Sequence, residues 1–265
     1  AAYNFVDFLA KSFQTYWQIL PVNPTGYGDS PYQSFCTFAG NPYFIDFDLL
    51  YADGYLKKSD YDKIKWSCQD SYIDYGLLYE NRKIVFSVLL ENFKKKIPKD
   101  FLPFCEKNAF WLEDYSLFMT LKDFFGGKAF LSWDEEFKLR KKSALEKFSR
   151  NEKDKLLYYK MLQYFFFRQW KSLKKYANSK GIKIIGDIPI YVSSDSSDVW
   201  SNPKCFLLEK NLTPIYVAGC PPDAFAAGGQ LWGNPVYNWA YLKKTDFDWW
   251  KKRLAYSLKI YDVVR

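Results

Sequence analysis

Three short segments of this 265-residue chain gather residue types that can do chemistry. The first is Gly26-Tyr27-Gly28-Asp29-Ser30-Pro31-Tyr32-Gln33-Ser34. The second is Gly186-Asp187-Ile188-Pro189-Ile190-Tyr191-Val192, running on to Asp195, Asp198, Val199 and Trp200. The third is Ala218-Gly219-Cys220-Pro221-Pro222-Asp223, followed by Gly229-Gln230-Leu231-Trp232-Gly233-Asn234-Pro235. Each mixes rings, carboxylates, amides and backbone-bending residues. That mixture suits a sugar, whose apolar face stacks on Tyr or Trp while its hydroxyl edge needs Asp, Asn and Gln. A polar group left unpaired in a closed site costs about 1–3 kcal/mol. Peptides and bases use similar loops, so composition gives sugars only a modest lead. Asp187 stands out as a carboxylate inside an otherwise apolar run. It is either buried and paired or placed at the C-terminal rim of its strand, and both places suit a functional group. Asp198 reads as a helix N-cap or as a ligand. Gly28 and Gly40 read as turn residues at positive φ, and Trp17 and Trp170 as core.

Composition removes whole classes of function. Apolar residues make up 48% and charged residues 26%, which excludes disorder, collagen and a disulfide-rich miniprotein. His is absent, and with it Ser-His-Asp and Cys-His catalysis and His metal sites within this stretch. The five cysteines, Cys36, Cys68, Cys105, Cys205 and Cys220, are odd in number, widely spaced and without a CxxC pair. They read as free thiols in a reducing compartment, so the expectation is a cytoplasmic protein with no metal and no cofactor. The net charge of +8 rests mostly on lysines such as Lys94-Lys95-Lys96, Lys174-Lys175 and Lys251-Lys252. These lie on amphipathic stretches and read as solvated helix faces rather than a nucleic-acid surface. No run of about 18 apolar residues argues for a membrane span.

The elements that must position these segments follow from periodicity. Phe5, Phe8, Leu9 and Phe13 share a helical face. Tyr16 to Val22 reads as a buried strand, residues 23–43 as a long loop, and Phe44-Ile45-Asp46-Phe47 as a candidate second strand. From 48 to 150 the pattern is helical. Residues 151–180 give the clearest helix, closed by Gly181 as a C′ residue. Ile182 to Val192 reads as a buried strand, 193–239 as loop, Phe247 to Leu258 as helix, and Tyr261 to Arg265 as a strand at which the sequence stops. A helix leading into such a strand points to a parallel α/β sheet. Chemistry then sits in the loops at the C-terminal strand ends. About four strands use a length on which a full (β/α)8 barrel of about 250 residues would spend eight. Either the fold is no closed barrel, or this is the first half of one.

The three segments resemble those of the 4-α-glucanotransferases, also called amylomaltases or disproportionating enzymes. The resemblance runs from the first loop through Phe38-Ala39-Gly40-Asn41-Pro42 to the strand around Asp187, then to Pro221-Pro222-Asp223 and the Gln230–Pro235 stretch. It implies a TIM-type (β/α)8 barrel with an inserted helical subdomain. Residues 1–50 would carry barrel strands 1–2 and a substrate loop, 51–150 the insertion, and 151–265 the next strand, an acceptor-side loop and the start of strand 4. It also implies a retaining double displacement on α-1,4-glucan, with an Asp nucleophile, a Glu acid/base and a third carboxylate. By the same likeness these three lie beyond Arg265, which matches the arginine that keeps the nucleophile ionised. The 265 residues alone are then expected to be inactive.

Matched one by one, Tyr32 takes the place of the tyrosine that stacks under the sugar at the cleavage subsite, and Asp187 that of the nearby strand aspartate. Gln230 and Trp232 match acceptor-side residues, and Asp223 and Phe225 a gating segment. Ser30 and Asn234 fall inside matching motifs and join the substrate-binding set. Ala224 and Ser194 depart from a common tyrosine and histidine. Trp232, in a stretch rich in Gly and Pro, reads as a plug over the barrel or as a platform for the acceptor sugar, with the platform favoured. The alternatives to a transferase are a non-catalytic α-glucan-binding protein and an α-glucan hydrolase. No nucleic acid or membrane partner is expected.

Overall fold

The computed structural model describes residues 1–26, 28–69 and 71–265. Tyr27 of the first motif lies outside the described residues. Helix α1 (Ala2–Lys11) leads into strand β1 (Tyr16–Gln18). A long excursion follows, with α2 (Phe47–Ala52), α3 (Tyr75–Lys95), α4 (Phe101–Phe124), α5 (Glu135–Lys138), α6 (Lys142–Asn151) and α7 (Lys153–Ser179). Strand β2 (Lys183–Gly186) and helix α8 (Ser197–Ser201) come next, then strands β3 (Val217–Cys220) and β4 (Gln230–Pro235). Helices α9 (Trp239–Lys244) and α10 (Asp248–Ile260) precede β5 (Val263–Val264). Strands β1, β2 and β5 form one parallel sheet in the order β1-β2-β5. Trp17 lies opposite Ile184 in one pair, and Ile185 opposite Val263 in the other. Helices α7 and α10 are the last elements of the two crossovers, as a parallel sheet requires.

Helix α7 forms where its apolar period demanded. It buries Met161, Leu162, Phe165, Phe166 and Ala177. Gly181 then turns the chain at φ 78°, and Ile182 donates its N–H back to the Ala177 carbonyl at 2.9 Å, which closes the helix end. Helix α4 packs along α7 and joins two apolar clusters. Its Trp111, Leu112 and Tyr115 enter the cluster around α7 and β2, while Phe118 and Leu121 enter one built on Trp133, Trp200, Phe206 and Trp249. Much of the aromatic content is spent in these clusters as edge-to-face contacts, such as Phe93 on Phe101 at 4.9 Å.

Several expectations are corrected. Residues 44–47 form no strand, and among the described residues the parallel sheet has three strands rather than four. Local side chains capture the backbone instead. Asn41 Oδ1 accepts from the Tyr43 N–H at 2.9 Å, starting a 3-10 turn. Asp46 Oδ1 accepts from the Asp48 and Leu49 N–H groups and caps α2. The loop-like stretch 193–239 contains α8 and the antiparallel hairpin β3–β4, so Trp232 lies on a strand. Glycine there serves close backbone approach, since a Cβ on Gly219 would sit 2.3 Å from the Gln230 carbonyl oxygen. Gly28 does have positive φ, at 80°, but Gly40 does not. Gly40 is instead pressed on the Phe166 ring, where a Cβ would fall 1.9 Å from a ring carbon, and Gln163 clamps its N–H and C=O at 2.7 and 2.9 Å. Residues 187–192 continue past β2 as irregular chain.

Candidate active site

Asp187 directly follows β2, and Arg265 directly follows β5 on the neighbouring strand. Both therefore stand at the C-terminal edge of the parallel sheet, where such folds place their ligands. Backbone bonds fix the pair, with Arg265 N–H on the Gly186 carbonyl at 2.9 Å and Ile188 N–H on the Arg265 carbonyl at 3.2 Å. Asp187 is 8% exposed. Arg265 grips it with two donors, Nη2 to Oδ2 at 2.7 Å and Nε to Oδ1 at 3.3 Å. Tyr32, from the first loop, donates its hydroxyl to Oδ2 at 2.7 Å. Burial pushes the Asp187 carboxyl up, but the Arg265 and Tyr32 hydrogen bonds and the Arg265 charge outweigh it and hold it below the usual range. The same bond to Asp187, with burial, raises the Tyr32 phenol. Asp187 is thus an ionised acceptor. Three of its roughly four lone-pair positions are taken, which makes it a poor general acid and a good anchor for one hydroxyl.

A second cluster lies one residue along the same loop. Gln33 Nε2 donates to the Trp232 carbonyl at 3.2 Å and to Asn234 Oδ1 at 3.1 Å. Asn234, 4% exposed, donates in turn to the Val192 carbonyl at 2.7 Å. Trp232 Nε1 donates to Gln230 Oε1 at 3.0 Å, and its ring, 43% exposed, stands 6.4 Å from that of Tyr191. The structure therefore joins Tyr32, Asp187 and Arg265 in one group and Gln230, Trp232 and Asn234 in another, with Tyr32-Gln33 bridging them. Ser30 serves its own turn, its Oγ accepting from the Tyr32 N–H at 3.3 Å. Asp223 does likewise for the Phe225 and Ala226 N–H groups, and Phe225 projects 95% exposed. Neither of these last two touches the clusters.

The loop carrying Tyr32 is pinned from below. Asp198 is neither cap nor exposed ligand, because Ser196 caps α8. The buried Asp198 carboxylate accepts from Thr37, from N–H at 2.8 Å and from Oγ1 at 2.9 Å. Burial raises its pKa and the Thr37 bonds oppose the rise. Asn23 reaches the Thr37 and Ala39 carbonyls. Sequence reasoning did not single out Gln33, Tyr191, Asn23 or Thr37. The first two were visible as an amide and a ring inside the motifs, whereas Asn23 and Thr37 carried no pattern. A cavity of about 810 Å³ lies elsewhere. Trp17, Phe47, Trp66 and Trp170 line it and no member of either cluster does, so its size carries no weight for the site. All five cysteines are free, and no helix among the described residues is long and apolar enough to cross a membrane.

A parallel β/α sheet with a ring-and-amide site at its C-terminal edge is the arrangement that (β/α) folds use for ligands. The family profile described as 4-alpha-glucanotransferase matches residues 1–265. A 4-alpha-glucanotransferase of Clostridium butyricum is 53% identical over 266 residues, covering 100% of this chain and 55% of that protein. The chloroplastic/amyloplastic 4-alpha-glucanotransferase of Solanum tuberosum is 34% identical, with 100% and 47% covered. Among solved structures, amylomaltase from Streptococcus agalactiae in complex with acarbose superposes with a TM-score of 0.97 at 44% identity, covering 100% of this chain and 54% of that one. The chain belongs to the 4-alpha-glucanotransferase family. Its three-stranded parallel sheet and mixed helix and strand content are those of a partial TIM-type barrel. The chain spans about half the length of the curated relatives it matches.

Proposed function

We propose that this chain forms the glucan-holding part of a 4-α-glucanotransferase in a polypeptide of its relatives' full length. The observation that carries this reading is the loop Tyr32-Gln33, which ties an ionised carboxylate–arginine pair to an exposed indole platform. A pyranose chain needs those partners: rings for its faces, and Asp187 and Gln230 for its hydroxyls. Tyr32 lies under the sugar whose anomeric carbon reacts, and Arg265 lends positive charge beside it. The reacting carboxylates, a nucleophile and an acid/base close enough for a retaining displacement, are supplied by residues that follow Arg265 in such a polypeptide. Trp232 and Gln230 hold the incoming sugar so that its 4-OH, not water, meets the glycosyl-enzyme. The acarbose held by the Streptococcus agalactiae amylomaltase supports a saccharide ligand.

The test is incubation of the full-length protein with maltotriose. Transfer of a maltosyl unit from one maltotriose to another gives glucose and maltopentaose, and further rounds give longer chains, all at a constant number of reducing ends. Hydrolysis raises that number, and a binding protein leaves maltotriose intact. The purified 265-residue chain is expected to release no glucose above buffer.

A further inference from the structure

Arg253 on α10 is 2% exposed and makes no ion pair among the described residues. The buried Asp198 carboxylate is near enough to favour its charge but not to touch it, and a guanidinium without an ion-pair contact is costly to bury unless its donors are otherwise met. Here they reach two separate segments. Nη2 donates to the Pro189 carbonyl, while Nη1 donates to the Ile190 carbonyl at 3.3 Å and to the Tyr237 hydroxyl at 3.2 Å. Tyr237 donates its own hydroxyl hydrogen bond to the Ile190 carbonyl at 2.8 Å. The rings of Trp249 and Trp250 flank the cation at 5.5 and 4.9 Å.

The two segments are those that carry the site. Pro189 and Ile190 lie just past Asp187, and Tyr237 just past β4 with its Gln230 and Trp232. Tyr191, next in the first segment, stacks on Tyr237 at 5.9 Å and leans on Trp232 at 6.4 Å. We propose that Arg253 is a positioning residue for acceptor use: it locks the chain after Asp187 to the end of β4 and so sets where the Trp232 platform stands. The proposal rests on the transferase reading above. Asp187 has ties of its own to Tyr32, Arg265 and the sheet backbone, so donor cleavage depends less on this lock. Trp232 and Tyr191 are partly open to solvent, and the Tyr237–Arg253 junction backs them from the buried side.

The test uses the full-length protein with Arg253→Met, Arg253→Lys and Tyr237→Phe, with maltohexaose as donor and glucose as acceptor. Loss of the guanidinium is expected to raise the acceptor KM about fivefold or more, the scale of about one net hydrogen bond passed on to the platform. The hydrolysis share of products should rise, and total donor consumption should stay within about twofold. Tyr237→Phe, which keeps the ring, should move the same quantities less, and Arg253→Lys should recover part of the loss. If Arg253→Met fails to fold, Tyr237→Phe carries the test. Transfer and donor consumption falling together, with acceptor KM and hydrolysis share unchanged, would show a merely structural arginine and leave the transferase reading intact. Wild-type protein that turns over no maltohexaose or maltotriose overturns that reading, and this proposal with it.

Discussion

Tyr32 and Asp187, 155 positions apart, meet through a 2.7 Å hydrogen bond in which the phenol donates to Oδ2, the oxygen that Arg265 also holds. The ring therefore has two functions that mutation separates. Tyr32→Phe keeps the stacking face and loses the bond, while Tyr32→Ala loses both. In the full-length protein Tyr32→Ala should lower disproportionation of maltotriose by about tenfold or more, in turnover as well as affinity, because a stacked sugar is held in a near-attack geometry. Tyr32→Phe should cost less. A Tyr32→Ala rate within about twofold of wild type would remove the stacking role.

Acid should dissolve the Asp187 cluster. Its carboxyl is held below the usual range, so its stabilising contribution is complete above the unfolded pKa of about 3.9 and is lost as pH falls through the lower folded value. The stability gap between wild type and Asp187→Asn, read from urea midpoints, should be full near pH 6 and shrink below about pH 4. A gap equally large at about pH 3 would mean that Arg265 and Tyr32 do not hold the ionised form.

Loop anchoring can be tested away from the chemistry. Asp198→Ala leaves the Thr37 N–H and hydroxyl without their partner in a half-buried place, at a cost of about 1–2 kcal/mol. A denaturant midpoint unchanged from wild type would show that the 23–43 loop has other moorings.

Two glycines make a matched pair. A Cβ on Gly186 would lie 2.1 Å from the Tyr261 ring, so Gly186→Ala should destabilise by about 1–3 kcal/mol through overpacking. Gly76, in the first turn of α3, meets nothing nearer than 3.5 Å, and Gly76→Ala should gain about 0.5 kcal/mol. Thermal melts that fail to order the two in this way would contradict the β2–Tyr261 packing.

How far the sequence could be read depended on the physics at each place. Helix α7 was legible because one apolar stripe with a Gly stop serves a single structure. The strand around Ile184 was legible from its largely apolar run, and Asp187 from being the carboxylate in that run, although the strand itself ends at Gly186. Residues 44–47 misled because a short, mostly apolar stretch was overruled by Asn41 and Asp46, whose side chains bond the nearby backbone. The hairpin was hidden because Gly219 and Gly233 look like loop residues until the partner strand is in place. Arg253 was invisible for another reason. It follows Lys251 and Lys252, which are exposed and paired with Asp246 and Asp248, yet it turns inward beneath Pro189.

The division of labour between the two clusters is the central claim, and Trp232 tests it most directly. An acceptor platform raises the residence of the incoming 4-OH and excludes water from the same space. In the full-length protein with maltotriose as donor and acceptor, the quantity to measure is the ratio of new reducing ends to transferred glucan. Trp232→Ala should slow transfer and raise that ratio, while Tyr32→Ala lowers both rates and leaves the ratio nearly unchanged. A Trp232→Ala ratio equal to wild type, with transfer and hydrolysis falling together, would contradict the account.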